Sequence, residues 1–488
     1  MVFFCRKSDS YRKYAGERGA WMNDRDFFMA RRVAEAVAAA GGRTFYVGGF
    51  VRDRLLGREN KDIDIEVHGI EPQVLENILD NLGGRTEMGA SFGIYGIQGC
   101  TLDIAMPRKE EATGRGHRDF QVYVDPFLGT EKSSRRRDFT INAMMEDVLT
   151  GEIVDHFGGQ KDLNEGVLRH VDGETFVEDP LRVLRGAQFA ARFGLSVAAE
   201  TIELCRAMDL TTLASERILG ELEKALLQAD QPSVFFQVLR QMNQLHDWFP
   251  EVEALIGVEQ SPVHHPEGDV WNHTMLVLDA AGPLRGGVKY AGGRAVPSWD
   301  LGFMLAALCH DLGKAVTTAA GEDGRIHALG HETEGLPIVE KFLGRITTNK
   351  KLTSYVLNMT ELHMKPNVTA RAHSKKKSTN KMFDQSVDPE GLLLLARADH
   401  LGRTETVINE AYEACLYERL QLFRKTMEQP FVKGADLVAA GLKPGPQFSE
   451  ILAHAHKLRL AGVQKEDALR QTLAYARKLG TAVPDREE

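Results

Sequence analysis

Apolar and polar positions along this chain change their period once. From Asp26 to Ala40 the apolar residues recur at helical spacing, and the pattern stops at Gly41-Gly42 before the short β-type run Thr44-Phe45-Tyr46-Val47. Further strands are predicted at Asp62 to Val67, Gly93 to Gln98 and Thr101 to Met106, each bounded by glycine or proline, which gives a small mixed sheet with helices. Beyond Pro180 the period is helical almost throughout, most clearly at Leu181 to Phe193, Glu216 to Gln228, Leu301 to Leu312 and Gly391 to Arg397. The fold class expected is therefore α+β, a mixed-sheet head followed by a helical body. Breaks at Gly257 to Asp269 and Gly286 to Ser298, with a lysine-rich loop after Lys365, divide that body. The expected division is an extension at 1–24, a head at 25–155, a neck at 156–255, a second helical domain at 256–405 and a helical tail at 406–488. The patternless extension reads either as disordered or as lying ahead of a true start at Met22.

A chain of 488 residues has room for three or four domains. With 43% hydrophobic and 26% charged residues it has a globular composition, and no apolar run is long enough to span a bilayer, so no membrane partner is expected. The apolar start at Met1 to Cys5 is far too short for a signal peptide, and the five cysteines are scattered without paired or metal-type spacing. Both point to the cytoplasm. A formal charge of −9 excludes indiscriminate coating of nucleic acid but leaves room for local basic surfaces. Ser133-Ser134-Arg135-Arg136-Arg137 is one candidate, and Met364 to Lys381, with six Lys/Arg and no acid, is another.

Candidate chemistry begins at Gly48-Gly49, placed between a strand and a helix, where bare backbone N–H groups can face phosphate. A double glycine by itself is usually only a tight turn. The next segment raises its meaning: Lys61-Asp62-Ile63-Asp64-Ile65 alternates carboxylates on one strand face with apolar residues on the other. Asp103, in Leu102-Asp103-Ile104-Ala105, repeats that alternation on a later strand. Three carboxylates suit Mg2+, and a pair of such ions would activate an attacking hydroxyl and stabilise leaving pyrophosphate. The arginine cluster ending at Arg137 completes a set ordered for phosphoryl transfer.

Gly48-Gly49-Phe50-Val51-Arg52-Asp53 followed by Asp62-Ile63-Asp64 resembles the signature of class II tRNA nucleotidyltransferases, the CCA-adding enzymes. The resemblance continues through Arg135-Arg136-Arg137-Asp138-Phe139-Thr140-Ile141-Asn142 and implies that Gly48, Gly49, Arg52 and Arg137 bind the nucleotide. It implies a head-to-neck hinge at Asp155, Gly158, Asp162 and Leu163, and base selection by Asp179 and Arg182 in Glu178-Asp179-Pro180-Leu181-Arg182. A carboxylate can accept from the amino group that cytosine and adenine share, while a guanidinium donates to ring acceptors. Arg185, one turn beyond Arg182, would reach phosphate, and Gln188 stands where many relatives carry another arginine. Ser215-Glu216-Arg217-Ile218 and Glu221 resemble a last neck motif that stabilises a helix. Pro107 to Arg118 reads as a mobile loop, which in the family helps switch from C to A addition and otherwise is a plain connector.

A second constellation lies in the helical body. His310-Asp311 ends an apolar helix, His273 lies on an earlier segment, and Asp399 follows the apolar run Leu392 to Leu395. Together they resemble the ligands of the HD phosphohydrolase superfamily, with His331 and His363 either supporting them or holding a second metal. The resemblance implies an HD-type domain with a divalent metal of unassigned identity and hydrolysis of 2′,3′-cyclic or 2′-phosphates at RNA ends. The order head, neck, HD domain resembles CCA-adding enzymes in which both activities repair RNA ends, since a 3′ end capped by phosphate cannot attack until its hydroxyl is restored.

The partners implied are tRNA, held by its acceptor arm and 3′ end, and the substrates CTP and ATP. Bacterial poly(A) polymerase shares the head, but its basic stretch before the third acid is here Ser91-Phe92-Gly93-Ile94-Tyr95-Gly96. Specialists that add only CC or only A keep the same motifs and stay open. So does a chain whose head only binds RNA while the HD domain is the sole enzyme, although the intact Asp62, Asp64 and Asp103 argue against it.

Overall fold

The computed structural model describes residues 24–481 apart from 61, 90–92, 113–119, 323 and 405–408. The predicted extension up to residue 23, Ser91-Phe92 and most of the polar part of the predicted loop therefore lie outside the described residues. Two compact units are present, one reaching Ala190 and including Gly194–Leu213, the other comprising Ala214 onward with Ala191–Phe193.

Among the described residues nine strands occupy the head: β1 (Arg43–Val47), β2 (Asp64–His68), β3 (Arg85–Gly89), β4 (Ile94–Ile97), β5 (Asp103–Ala105), β6 (Arg108–Ala112), β7 (Phe120–Val124), β8 (Met145–Asp147) and β9 (Ile153–Val154). Seven form one sheet in the order β3-β4-β5-β2-β1-β8-β9. β2 and β5 run parallel, and the other pairs in that sheet are antiparallel, so the mixed sheet expected from the sequence forms. The pleat of β2 separates its side chains: Ile65 and Val67 are fully buried on one face, while Asp64, Glu66 and His68 share the other. The helices Asp24–Ala39 and Pro72–Leu82 pack against each other beside this sheet through residues such as Val33, Val37, Leu75 and Leu79.

Three expectations need correction. Pro107 to Arg118 is not simply a loop, because Arg108–Ala112 pairs with Phe120–Val124 as an antiparallel hairpin. Its polar composition hid the strand, since Arg108-Lys109-Glu110-Glu111 has no apolar alternation to read. The lysine-rich segment after Lys365 is helical at Lys365–Arg371 and Lys376–Gln385: Pro366 suits a first helical turn and lysine is a good helix former. The helical body also contains the hairpins Val288–Tyr290/Gly293–Ala295 and Thr318–Ala320/Ile326–Ala328, whose three-residue strands are too short to show a period.

In the second unit every residue of the helix Asp300–Cys309 after the first is buried. A helix apolar on all sides must lie at the centre, and Val270–Leu284, Lys350–Leu362 and Pro389–Leu401 pack around it. Further along, Phe448–Leu460 and Lys465–Lys478 pair over Leu437, Ile451, Ala455 and Ala476.

Candidate active sites

The head site starts from a turn that only glycine tolerates. Gly48 has φ +69, and a Cβ there would lie 3.2 Å from Arg137 Nη1 and 3.9 Å from Asp64 Oδ2. Its neighbour Gly49 opens the helix Gly49–Leu55. Parallel pairing sets Asp64 directly opposite Asp103 on the adjacent strand, and adjacent strands lie only about 5 Å apart. Asp62 stands just before β2, its backbone N–H donating to Asn60 Oδ1 at 2.9 Å. Burial raises the Asp64 pKa first, and the charges of Asp103 and Asp62 add to that against the pull of Arg137. Asp103 is raised by burial and by Asp62. Three carboxylates gathered this way call for a cation, and their all-oxygen donor set fits a hard divalent metal.

Arginines surround the acids in different states. Arg137 is the one beside Gly48 and Asp64; its Nη2 lies 3.5 Å from Glu66 Oε2. Arg52 is buried beneath the turn, donating from Nε to Asp53 Oδ1 (2.8 Å) and from Nη1 to Asn142 Oδ1 (2.6 Å), so it braces the turn from behind. Arg182 donates to the Thr175 and Arg136 carbonyls at 2.7 and 2.6 Å, tying the helix Leu181–Phe193 to the arginine cluster. Arg185 pairs with buried Asp138 at 2.7 and 2.6 Å. Asp179 Oδ1 accepts the Leu181 N–H at 3.1 Å. Gln188 is buried, and Asp155 caps the helix Gly159–Glu165 by accepting from the Gly159 and Gln160 N–H groups.

Six groups converge in the second unit. His273 Nε2 lies 3.2 Å from Asp399 Oδ1 and 3.6 Å from Asp311 Oδ2; His310 Nε2 is 3.2 Å from Asp311 Oδ2. His331 and His363 approach Asp311 Oδ1 at 3.1 and 3.8 Å. All of these side chains are nearly or wholly buried. The Nδ1 atoms of His310, His331 and His363 face the carbonyls of Ala307, Ala328 and Thr360 at 2.8, 2.8 and 2.6 Å. A carbonyl only accepts, so each Nδ1 carries a proton and each Nε2 faces the interior of the cluster. The buried Nε2 atoms of His273 and His310 each lie 3.2 Å from a carboxylate oxygen but make no well-directed hydrogen bond. Burial would raise Asp311 and Asp399, yet His310 and Lys314 hold Asp311, and Arg403 and His273 hold Asp399, well below the carboxylate range. Burial pushes His363 down to about 3, leaving a bare nitrogen 3.3 Å from His331 Nε2. Convergent ring nitrogens and ionised carboxylates in a buried cluster fit a divalent metal.

The structure thus brings Gly48, Asp62, Asp64, Asp103 and Arg137 together in one place, and His273, His310, Asp311, Asp399, His331 and His363 in another. Sequence reasoning missed the groups behind them. Glu66, 1% exposed, accepts from Ser133 Oγ and faces His68 Nε2 at 2.8 Å. Burial alone would raise its pKa, but His68 and the charges of Arg137 and Arg136 hold it at about 2. Glu267 Oε1 faces the Nδ1 atoms of His265 (2.8 Å) and His273 (2.7 Å). Lys314 bridges Asp311 and Gln260, and Arg403 binds both oxygens of Asp399. Glu66 extends the alternation Asp62-x-Asp64-x-Glu66, Lys314 follows Asp311 by three residues and Arg403 follows Asp399 by four; these spacings were legible, whereas Glu267 sits in a loop without a signal.

Residues 44–169 match the model of the poly A polymerase head domain, and residues 270–404 that of the HD domain. Among solved structures, a CCA-adding enzyme complexed with CTP covers 95% of this chain and 96% of its own at TM-score 0.63 and 18% identity. A Thermotoga maritima CCA-adding enzyme complexed with tRNA covers 93% and 95% at TM-score 0.59 and 20% identity; both share the fold. The multifunctional CCA protein of Laribacter hongkongensis (strain HLHK9) is 43% identical over 293 residues, 58% of this chain and 67% of that relative. That of Halorhodospira halophila (strain DSM 244 / SL1) is 34% identical over 447 residues, 87% of this chain and 98% of the relative. Likeness at this level over nearly the whole of a relative, joined to two sites built as described, means that the chain belongs to the family of multifunctional CCA proteins.

Proposed function

We propose that this chain adds CCA to the 3′ end of tRNA from CTP and ATP, and that its HD-type centre hydrolyses 2′,3′-cyclic and 2′-phosphates at RNA ends in repair. The observation that carries the first reading is the in-register pairing of Asp64 with Asp103 beside the Gly48 turn and Arg137. Nearly full-length likeness to multifunctional CCA proteins supports it over a poly(A) polymerase, a CC- or A-adding specialist, or a head that only binds RNA. Solved enzymes of the same fold are described with CTP, ATP and tRNA.

In this reading Asp62, Asp64 and Asp103 hold the divalent metal, for which we propose Mg2+. When bound, the ion neutralises charge at the attacking hydroxyl and the leaving pyrophosphate. Gly48 and Gly49 leave room for the triphosphate, and Arg137 donates to its oxygens as a planar fork. Asp179, just before the helix Leu181–Phe193, and Arg182, in its first turn, present an acceptor and donors to the incoming base, and Arg182 ties that helix to the arginine cluster. Arg52 and Arg185 complete the nucleotide site, Arg52 bonded to Asn142 and Arg185 to Asp138. At the HD-type centre His273, His310, Asp311 and Asp399 hold a divalent metal, with His331 and His363 beside it. That ion would polarise a phosphoryl oxygen and activate water. Lys314 and Arg403 keep the carboxylates ionised. The exposed basic helices Lys365–Arg371 and Lys376–Gln385 offer a surface for RNA backbone. We place the chain in the cytoplasm; among the described residues no helix is long and apolar enough to cross a membrane. The four-part division at 155, 255 and 405 is kept as the functional reading.

The test is incubation with magnesium and a tRNA lacking its last three nucleotides, with CTP, ATP or both, read at single-nucleotide resolution. Three additions are expected. A stop after two C residues with ATP present, a requirement for an end already carrying CC, or a long A tail would each replace the reading by the corresponding specialist or polymerase.

A further inference from the structure

Glu66 is a buried carboxylate that the transfer chemistry described above does not use. It shares the polar face of β2 with Asp64 but points to different partners. One oxygen accepts from Ser133 Oγ and meets His68 Nε2 at 2.8 Å, and the other faces Arg137 Nη2 at 3.5 Å and Arg136 Nη2 at 3.9 Å. Ser133 belongs to the helix Thr130–Arg135, and Arg137 lies just past its end, its backbone N–H donating to the Ser134 carbonyl at 3.0 Å. The sheet therefore grips the arginine-bearing segment through one side chain.

The guanidinium of Arg137 is divided between two neighbours. Nη2 turns to Glu66, while Nη1 lies 3.2 Å from the position that a Gly48 Cβ would fill, next to Asp64. A flexible arginine beside Asp64 would otherwise fold onto it, because opposite charges a few ångströms apart attract strongly in a partly buried site. A fixed anion on the far side offsets that pull and keeps one arm of the fork over the turn. The fork keeps donors for a triphosphate, since Glu66 faces only Nη2 of Arg137.

We infer that Glu66 is a positioning residue for nucleotide binding, holding Arg137 over the Gly48 turn so that its free arm meets the triphosphate. The inference rests on the reading of the head as a nucleotidyltransferase. Its consequence is specific: loss of the Glu66 charge weakens CTP and ATP binding through Arg137, and leaves the step after binding largely intact.

CTP binding by calorimetry on the full chain tests this with E66Q, R137A and the double variant. E66Q is expected to bind CTP about tenfold more weakly, as for one charge-assisted hydrogen bond. The double variant is expected to bind no more weakly than R137A alone, since both act through one guanidinium. In steady state E66Q raises KM for CTP and ATP by a similar factor and changes kcat by less than about threefold. CTP affinity in E66Q within twofold of wild type, or losses that multiply in the double variant, would overturn the inference. Should E66Q fail to fold by circular dichroism, S133A decides: an affinity two- to threefold weaker supports the tether, and an unchanged affinity overturns it. Wild type that binds CTP but adds nothing to tRNA sinks the transferase reading while Glu66 stands; wild type that binds no CTP sinks both.

Discussion

At the head, Asp64 and Asp103 lie opposite each other on adjacent strands with Asp62 just before β2, and the pKa values of Asp64 and Asp103 rise. In the helical unit, Asp311 and Asp399 are more deeply buried, yet both sit well below the ordinary range. Burial pushes in the same direction at both places, so the difference comes from neighbours. Arg137 is the cation that lowers Asp64. Lys314, Arg403 and several imidazoles surround Asp311 and Asp399. The head has only oxygen donors and leaves Asp62 exposed, an arrangement suited to a hard ion that arrives with substrate phosphates. The helical cluster mixes nitrogen and oxygen donors in a closed interior and suits a resident ion.

The comparison breaks most cleanly by removing each centre in turn. Asp62→Ala with Asp64→Ala should reduce nucleotide incorporation by on the order of 10³-fold or more and leave hydrolysis of a 2′,3′-cyclic phosphate intact. Parallel loss of both activities would mean a shared site or a misfolded chain. His310→Ala with Asp311→Ala should do the reverse: phosphohydrolase activity and stoichiometric bound metal by elemental analysis disappear, and CCA addition persists.

Smaller changes sharpen the contrast. Glu267→Gln removes the charge that fixes His273 Nδ1–H, and metal affinity in a chelator competition should fall about 10- to 100-fold. Affinity equal to wild type would reduce Glu267 to a packing role. A metal-independent control is Glu251, whose carboxylate pairs both oxygens with Arg345 at 2.6 Å. Burial would raise its pKa, but Arg345 lowers it. A depressed folded value means that this stabilisation is present above the unfolded glutamate pKa of about 4.3 and is lost as pH falls through the folded value. Glu251→Gln should therefore cost about 2 kcal/mol at pH 7 in denaturant unfolding, and the gap to wild type should close on acidification below the ordinary glutamate range. A gap constant with pH would assign the loss to packing.

Much of this was legible because each feature repeated a local rule. The helix Leu181–Phe193 appears with the bounds its apolar period predicts, and Asp64 and Asp103 lie on strands whose alternation marks one polar face. Arg52 shows the limit. Its place in the glycine-rich motif suggests contact with the nucleotide, but only the fold shows its bonds to Asp53 and Asn142. Arg185 likewise spends its charge on Asp138, 47 residues away in sequence. Periodicity tells which face a side chain occupies but not which distant partner fills that face.

The sequence by itself determined the α+β order of the chain, Asp64 and Asp103 on their strands and His310-Asp311 at the end of its helix, because these depend on spacing along one element. Tertiary structure decided what surrounds those groups: the parallel register that sets Asp64 opposite Asp103, the Glu66 grip on Arg137, and the buried cations that keep Asp311 and Asp399 charged. Those are pairings between elements, and electrostatic energy depends on distance in space, which a linear pattern does not encode.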